Sequence, residues 1–383
     1  MSKKLFWLYA LSSSVYFTQG IEGLPSQGLF YYFKETLGFS PEKIMLISSV
    51  TISAWLVKPF IGYAIDRFWN KKIWIAFSLV ADIALVAMLG VIAFPVVILI
   101  AMLVLNASDA AVRDVAVDGI MCTEGKRHNI TGKIQSVQWI SISVSGLLTG
   151  IGGGIIAEKW GYRMGFLWLI PVYLVVLLTT YLYRPTNEPA DGKSTISLAE
   201  LKKVLTNKQL LIIGLFIFLY KYSPSFGTPL FFVQRDSFKW GKVWIGVLGT
   251  ISTVCSIAGA LLYYRMSQRI NMKKWLWWSV FLGAATTVSY LYYTPVTAVA
   301  YDVIYGLMGM FIFLMVMDFM VRNTVAGFEA TSFALLCSIS NLALVASNLS
   351  GAFLLPKVGL SWLIILSALT SFLCLPLIKK IKA

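Results

Sequence analysis

The sequence predicts an all-α membrane protein whose twelve transmembrane helices form two pseudo-symmetric six-helix bundles. Three observations carry this expectation. Apolar residues make up 58% of the 383 residues, and the mean hydropathy is +0.77, a composition that a water-soluble domain does not tolerate. These residues fall into twelve runs of roughly 20 residues, the length that matches the ~30 Å hydrocarbon core of a bilayer. The basic residues alternate in side: of 32 Lys and Arg, twenty-one lie in connections sharing a side with the N-terminus and eight lie opposite. That bias puts both termini in the cytoplasm. The remaining three, Lys58, Arg113 and Lys221, sit inside apolar runs, where a charge is costly unless it faces a cavity or a partner.

The expected spans are 5–33, 42–65, 72–92, 95–121, 131–157, 162–183, 208–234, 242–265, 273–292, 295–322, 329–355 and 358–378. The first follows Lys3 and Lys4 but is too long for a signal-peptide core and lacks a small-residue cleavage site, so it is expected to remain as a span. Residues 184–207, with Pro185 and Pro189, are the one long polar connection. They are expected to form a cytoplasmic linker between an N-terminal bundle, 1–183, and a C-terminal bundle, 208–383. The net charge of +15 is spread over cytoplasmic loops, where lipid headgroups account for it, so no nucleic-acid partner is expected. Cys122, Cys255, Cys337 and Cys374 have no metal-ligand spacing, and the single histidine, His128, is in a loop. Neither a metal, a cofactor nor an enzyme nucleophile is therefore expected. A monomer in a bacterial inner (plasma) membrane is.

Each half opens with an interrupted helix. Span 1 contains QGIEGLPSQGLFYYF (19–33) and span 7 contains KYSPSFGTPLFFV (221–233). Gly and Pro free backbone groups that neighbours or cavity water must satisfy, and paired breaks at matching places in two halves point to the substrate site of an alternating-access transporter. Aligning Leu29 with Leu230 puts Glu22 and Lys221 at similar depth. Both are expected to face one central cavity, either paired with each other or engaging a charged ligand, with Glu22 as the proton carrier. Tyr222 and Trp139 are candidates to stack on a planar ligand. Asn341 shares a helical face with Asn348, suited to hydrogen-bonding a ring system or to joining helices.

Between spans 2 and 3 stands GYAIDRFWNKK (62–72), which resembles the loop motif of the major facilitator superfamily. Gly62, Asp66, Arg67, Lys71 and Lys72 match it, whereas Trp69 stands where a second Gly is usual and Asn70 where a basic residue is common. Gly62 would allow close helix approach, and Asp66 and Arg67 would cap helix ends and latch a gate. Span 4 ends NASDAAVRDVAVDG (106–119). Its i,i+4 spacing pairs Asp109 with Arg113 and sets Asp114 above Asp118. Asp118 is placed to reach Arg67, and Asp318 with Arg322 repeats an acid–base pair in the second half. The Gly-rich SGLLTGIGGGIIAE (145–158) is expected to be a close-packing surface.

Further strings resemble the folate-biopterin transporter family within that superfamily: YFTQGIEGL (16–24), VKPFIGYAIDRF (57–68), RDVAVDG (113–119), GALLYYRMSQRINMKKW (259–275) and FEATSFALLCSISNLALVASNLSGA (328–352). The resemblance implies a major facilitator fold and a role in transport for Lys58, Asp114 and Asp118. It also implies a small, planar, anionic or zwitterionic cargo of the folate or pterin kind. Glu22 and Arg113 depart from the family's pattern. They leave other cargo open, such as S-adenosylmethionine, a muropeptide or a sugar-like solute, with a membrane receptor or enzyme as the remote alternative. The substrate-binding set is thus Glu22, Lys58, Arg113, Lys221, Tyr222, Trp139 and Asn341. The gating set is Gly62, Asp66, Arg67, Asp114, Asp118, Asp318 and Arg322.

Overall fold

The computed structural model describes residues 3–39, 47, 50–51, 53–184, 202, 204–240 and 242–381. Among them are helices and no β-strand, the outcome expected where no water is available to satisfy an open backbone. Six stretches of the described residues are long and apolar enough to cross a membrane: Lys71–Val91, Val96–His128, Gly152–Leu182, Val247–Met266, Ala298–Arg322 and Glu329–Ile378. The difference from twelve has physical causes. Run 7 is cut by its break into helices of 14 and 6 residues, whereas run 1 keeps a 19-residue helix, Lys3–Ile21, whose Lys, Ser, Thr and Gln residues lower its hydropathy. The connections expected after residues 157 and 355 are not long loops but tight kinks at Gly161 (φ 72°, ψ 179°) and Gly359 (φ 73°, ψ 171°), each joining two successive helices end to end. Most of the expected linker, and residues 42–46 of the second span, lie outside the described residues.

The chain divides into two compact units, Met1–Ser197 with Val325–Ala334, and Leu198–Thr324 with Leu335–Ala383. The first contains α1 (Lys3–Ile21), α2 (Ser26–Tyr31), α3 (Lys58–Arg67), α4 (Lys71–Val91), α5 (Val96–His128), α6 (Thr131–Leu167) and α7 (Leu169–Leu182). Its core is built from side chains such as Leu11, Val15, Ile75, Leu79 and Val117, all essentially inaccessible. The break between α1 and α2 packs on the Gly-rich part of α6, as the small residues there suggested. A Cβ on Gly20 would fall 2.0 Å from Ser145 Oγ, and Thr149 Oγ1 donates to the freed carbonyl of Gly20 at 2.8 Å.

The second unit contains α8 (Lys208–Lys221), α9 (Gly227–Phe232), α10 (Lys242–Met266), α11 (Met272–Ser289), α12 (Ala298–Arg322), most of α13 (Glu329–Thr370) and α14 (Leu375–Ile378). The local structure repeats that of the first. Ser26–Tyr31 followed by a π-turn at Tyr32–Thr36 recurs, 201 residues on, as Gly227–Phe232 followed by a π-turn at Val233–Ser237. Asn70 and Asn271, at the same offset, each cap the next helix by accepting from Lys72 N and Lys274 N. An N-cap contributes about 1 kcal/mol, which explains why Asn replaces a base in the loop motif. The backbone freed at the second break is also satisfied inside its unit. Ser225 N donates to Ser347 O at 2.9 Å, Ser223 N donates to Ser347 Oγ at 3.0 Å, and Ser367 Oγ donates to Pro224 O.

Candidate functional site

Two consecutive residues of α5 organise the polar interior of the first unit. A helix turns 100° per residue, so Arg113 and Asp114 project in different directions. Arg113, 1% exposed, donates through Nη2 to Glu22 Oε1 at the α1 break and through Nη1 to Asp82 Oδ2 of α4 at 2.5 Å. Its guanidinium also lies 5.2 Å from the Tyr173 ring centroid. Tyr173 donates its hydroxyl to Glu22 at 3.0 Å, and Asn106 donates to Asp82 at 2.8 Å. The i,i+4 neighbour Asp109 is not the ion-pair partner that the spacing suggested. Two carboxylates from other helices hold the guanidinium instead, because a planar fork with five donors can serve both at once.

The Glu22–Arg113–Asp82 cluster carries one more carboxylate than cation. Asp82 is closed off, whereas Glu22 is 14% exposed and lines a cavity of about 380 Å³ together with Ser26, Phe30, Trp55, Asn106 and Phe166. The side chain that meets the cavity is Glu22. Arg113, expected to touch substrate, is sealed behind it.

Asp114 faces the other way. Its Oδ2 takes Lys58 Nζ at 2.6 Å, its Oδ1 takes Gln19 Nε2 at 2.5 Å, and the Lys58 ammonium lies 4.4 Å from the Trp55 ring centroid. Lys58 therefore turns into the bundle instead of reaching outward to the interface. One turn on, Asp118 accepts from Tyr16 Oη at 2.8 Å, and the Tyr16 ring meets Trp139 edge-on at 6.4 Å. Arg67, expected to reach Asp118, instead donates to Tyr63 Oη at 2.7 Å and stacks on Phe68 at 5.1 Å. Asp114, expected among the gating residues, is thus paired with Lys58.

Asp66 lies at the end of α3, where its carboxylate receives three donors at the start of α13. Oδ2 accepts from Thr331 N at 2.8 Å and Thr331 Oγ1 at 2.7 Å, and Oδ1 accepts from Ala330 N at 3.3 Å. Two of the three are the unsatisfied amides of a helix N-terminus, the natural place for an anion. Lys71 Nζ stands 3.7 Å away. Gly62 makes the approach possible, since a Cβ there would lie 2.9 Å from both Ala330 O and Thr331 Cα. Trp69 has φ 52°, a left-handed conformation that glycine adopts without strain; this is the physical reason for the usual Gly in the motif.

In the second unit, Lys221 Nζ sits 4.8 Å from the Phe313 ring centroid and has no acidic partner among the described residues. Inside the first unit Glu22 is engaged by Arg113. Tyr222 stacks on Phe218 at 6.0 Å. Asp318, fully buried, accepts from Arg322 Nη2 at 2.9 Å and from Tyr263 Oη at 2.8 Å, so the i,i+4 pair forms. Asn341 and Asn348 are exposed on α13. The residues that sequence reasoning missed are Tyr173 and Gln19, and Asp82 as a partner of Arg113. Asp82 carried a signal as an acid in an apolar run, but its partner lies 31 positions away and no local spacing connects them.

The model of the BT1 family matches residues 19–383. The folate-biopterin transporter of Synechocystis sp. is 23% identical over 410 aligned positions, which cover 97% of this chain and 81% of that protein. Among solved structures, the E. coli fucose:proton symporter matches with a TM-score of 0.73 at 12% identity, over 98% of both chains. The human organic anion transporter TETRAN matches at 0.69 and 14%, over 97% of both. At such identities the likeness is one of fold.

Proposed function

Because the chain belongs to the BT1 family of folate-biopterin transporters, we propose that it moves a small planar metabolite of the folate or pterin kind by proton-coupled secondary active transport. Membership makes it a multi-pass integral membrane protein and a transporter, not an enzyme. The finer reading is a monomer of twelve spans in two six-helix bundles. It sits in a bacterial inner membrane with both termini cytoplasmic and works by alternating access. The distribution of Lys and Arg supports that orientation.

One observation carries the coupling mechanism: the buried Glu22–Arg113–Asp82 cluster beside a cavity at a helix break. Its surplus carboxylate is costly in a low-dielectric interior unless a proton or a ligand's positive group neutralises it. Glu22, the carboxylate that meets the cavity, is the proposed proton carrier, and Arg113 and Asp82 position it. Lys58 and Asp114, with Asp118 and Tyr16, form a second polar site in the same unit. Lys221 offers a cation for a substrate carboxylate. Asp66, Arg67 and Gly62, with Asp318 and Arg322 in the second unit, are the proposed gating groups.

Uptake into proteoliposomes of a panel of folates, pterins, nucleosides and amino-acid derivatives, with and without a proton gradient, tests this reading. Folate or pterin uptake driven by an inward proton gradient is expected, and Glu22→Gln should remove its dependence on pH. Uptake in that variant that still follows the gradient would exclude Glu22 as the carrier.

A further inference from the structure

The second unit contains a partly open cavity of about 670 Å³, within the range of small-molecule sites. Of its described lining residues only Lys221 and Asp302 are charged. The Lys221 ammonium lies over Phe313, eleven residues along α12 from Asp302. At 1.5 Å per residue that is roughly 16 Å of helix, so the two charges stand near opposite ends of the cavity and are too far apart to neutralise each other. Asp302, Tyr305, Met308, Gly309 and Ile312 line it along one face of α12.

The Asp302 end is aromatic. Tyr290 lies parallel to Tyr301 at 4.8 Å and meets Phe226 edge-on at 5.4 Å, and Phe226, Tyr290 and Tyr305 all line the cavity. Asp302 Oδ2 is buried with no hydrogen-bond partner among the described residues. A buried carboxylate oxygen without a donor is expensive. This end therefore offers flat aromatic surface and a strong acceptor, while the far end offers an ammonium.

We propose that this cavity binds an elongated ligand in one polarity, with Asp302 taking the 2-amino-4-oxopyrimidine edge of a pterin ring and Lys221 taking a carboxylate at the other end. The inference rests on the folate and pterin reading of the cargo. The ring's N3–H and 2-amino group form a two-donor fork, which a carboxylate accepts through charge-assisted hydrogen bonds. Its faces stack on the tyrosines. Asp302 is accordingly the residue that distinguishes a pterin from planar rings without this two-donor edge, since a site built around a hydrogen bond rejects ligands that leave it unmade.

Fragments separate the two ends. The full-length protein in lipid nanodiscs is titrated with 6-hydroxymethylpterin, which has the pterin ring and no carboxylate, and with p-aminobenzoylglutamate, which has carboxylates and no pterin ring. Wild-type protein should bind both. Asp302→Asn should weaken the pterin by about tenfold or more and leave p-aminobenzoylglutamate unchanged, which also reports that the variant is folded. Asp302→Glu should retain pterin binding, and Lys221→Gln should give the reciprocal loss. Undiminished pterin affinity in Asp302→Asn, or equal loss of both fragments, overturns the assignment. Wild-type protein that binds neither fragment would instead refute the cargo reading itself.

Discussion

Asp66 and Thr331, 265 positions apart in sequence, are joined through both the backbone amide and the hydroxyl of Thr331. The carboxylate closes a helix N-terminus, so its charge and its two acceptor oxygens both contribute. An Asp66→Ala variant loses all of these interactions and should be destabilised by roughly 2 kcal/mol, with Asp66→Asn intermediate because one oxygen remains. Thermal unfolding of purified protein in detergent checks the order. Equal melting temperatures for wild type and Asp66→Ala would show that the contact contributes nothing.

Gly62 and Gly119 both border this segment, but they meet different obstacles. A Cβ on Gly62 would press on the backbone of Ala330 and Thr331, whereas one on Gly119 would meet chiefly the end of the flexible Lys71 side chain, 2.9 Å away, with Ala330 Cβ at 3.0 Å. Gly62→Ala should therefore cost about 1–3 kcal/mol and Gly119→Ala less. Comparing the two melting temperatures in one preparation decides it; a larger loss at Gly119 would contradict the packing argument.

Removing Arg113 leaves Glu22 and Asp82 buried without their cation, and breaking a buried ion pair in this way costs about 3–5 kcal/mol. Arg113→Met should express poorly or melt well below wild type. Adding Glu22→Gln and Asp82→Asn to it should recover much of the loss, because the stranded charges are gone. A triple variant no more stable than Arg113→Met, measured by urea or thermal unfolding, would rule out charge burial as the cause.

The second break depends on Ser347, whose hydroxyl satisfies Ser223 N and whose carbonyl satisfies Ser225 N. Ser347→Ala removes only the first bond and strands one amide, a cost of about 1–3 kcal/mol. Hydrogen exchange at residues 222–226 should quicken in that variant while the exchange of α12 stays unchanged. Uniform acceleration across the second unit would point to general unfolding.

Spacing alone revealed much of the polar interior. Gly, Pro and charge at residues 19–25 and 221–229 disclosed both helix breaks, and the i,i+4 spacing of Asp318 and Arg322 disclosed a pair that forms. The same rule misled at Asp109 and Arg113. A helical neighbour supplies proximity only when nothing better lies across the bundle, and here Glu22 and Asp82 do. Arg67 likewise found Tyr63 on its own helix before it could reach Asp118.

By itself the sequence determined the medium, the helical class and the places where helices must break. These follow from hydropathy, from charge bias and from backbone groups that Gly and Pro leave unsatisfied. Only the tertiary structure decided which charges share a partner, because a buried ion pairs with whatever the packing of distant segments brings within hydrogen-bond range. Glu22 with Arg113, Lys58 with Asp114 and Asp66 with Thr331 are all of this kind.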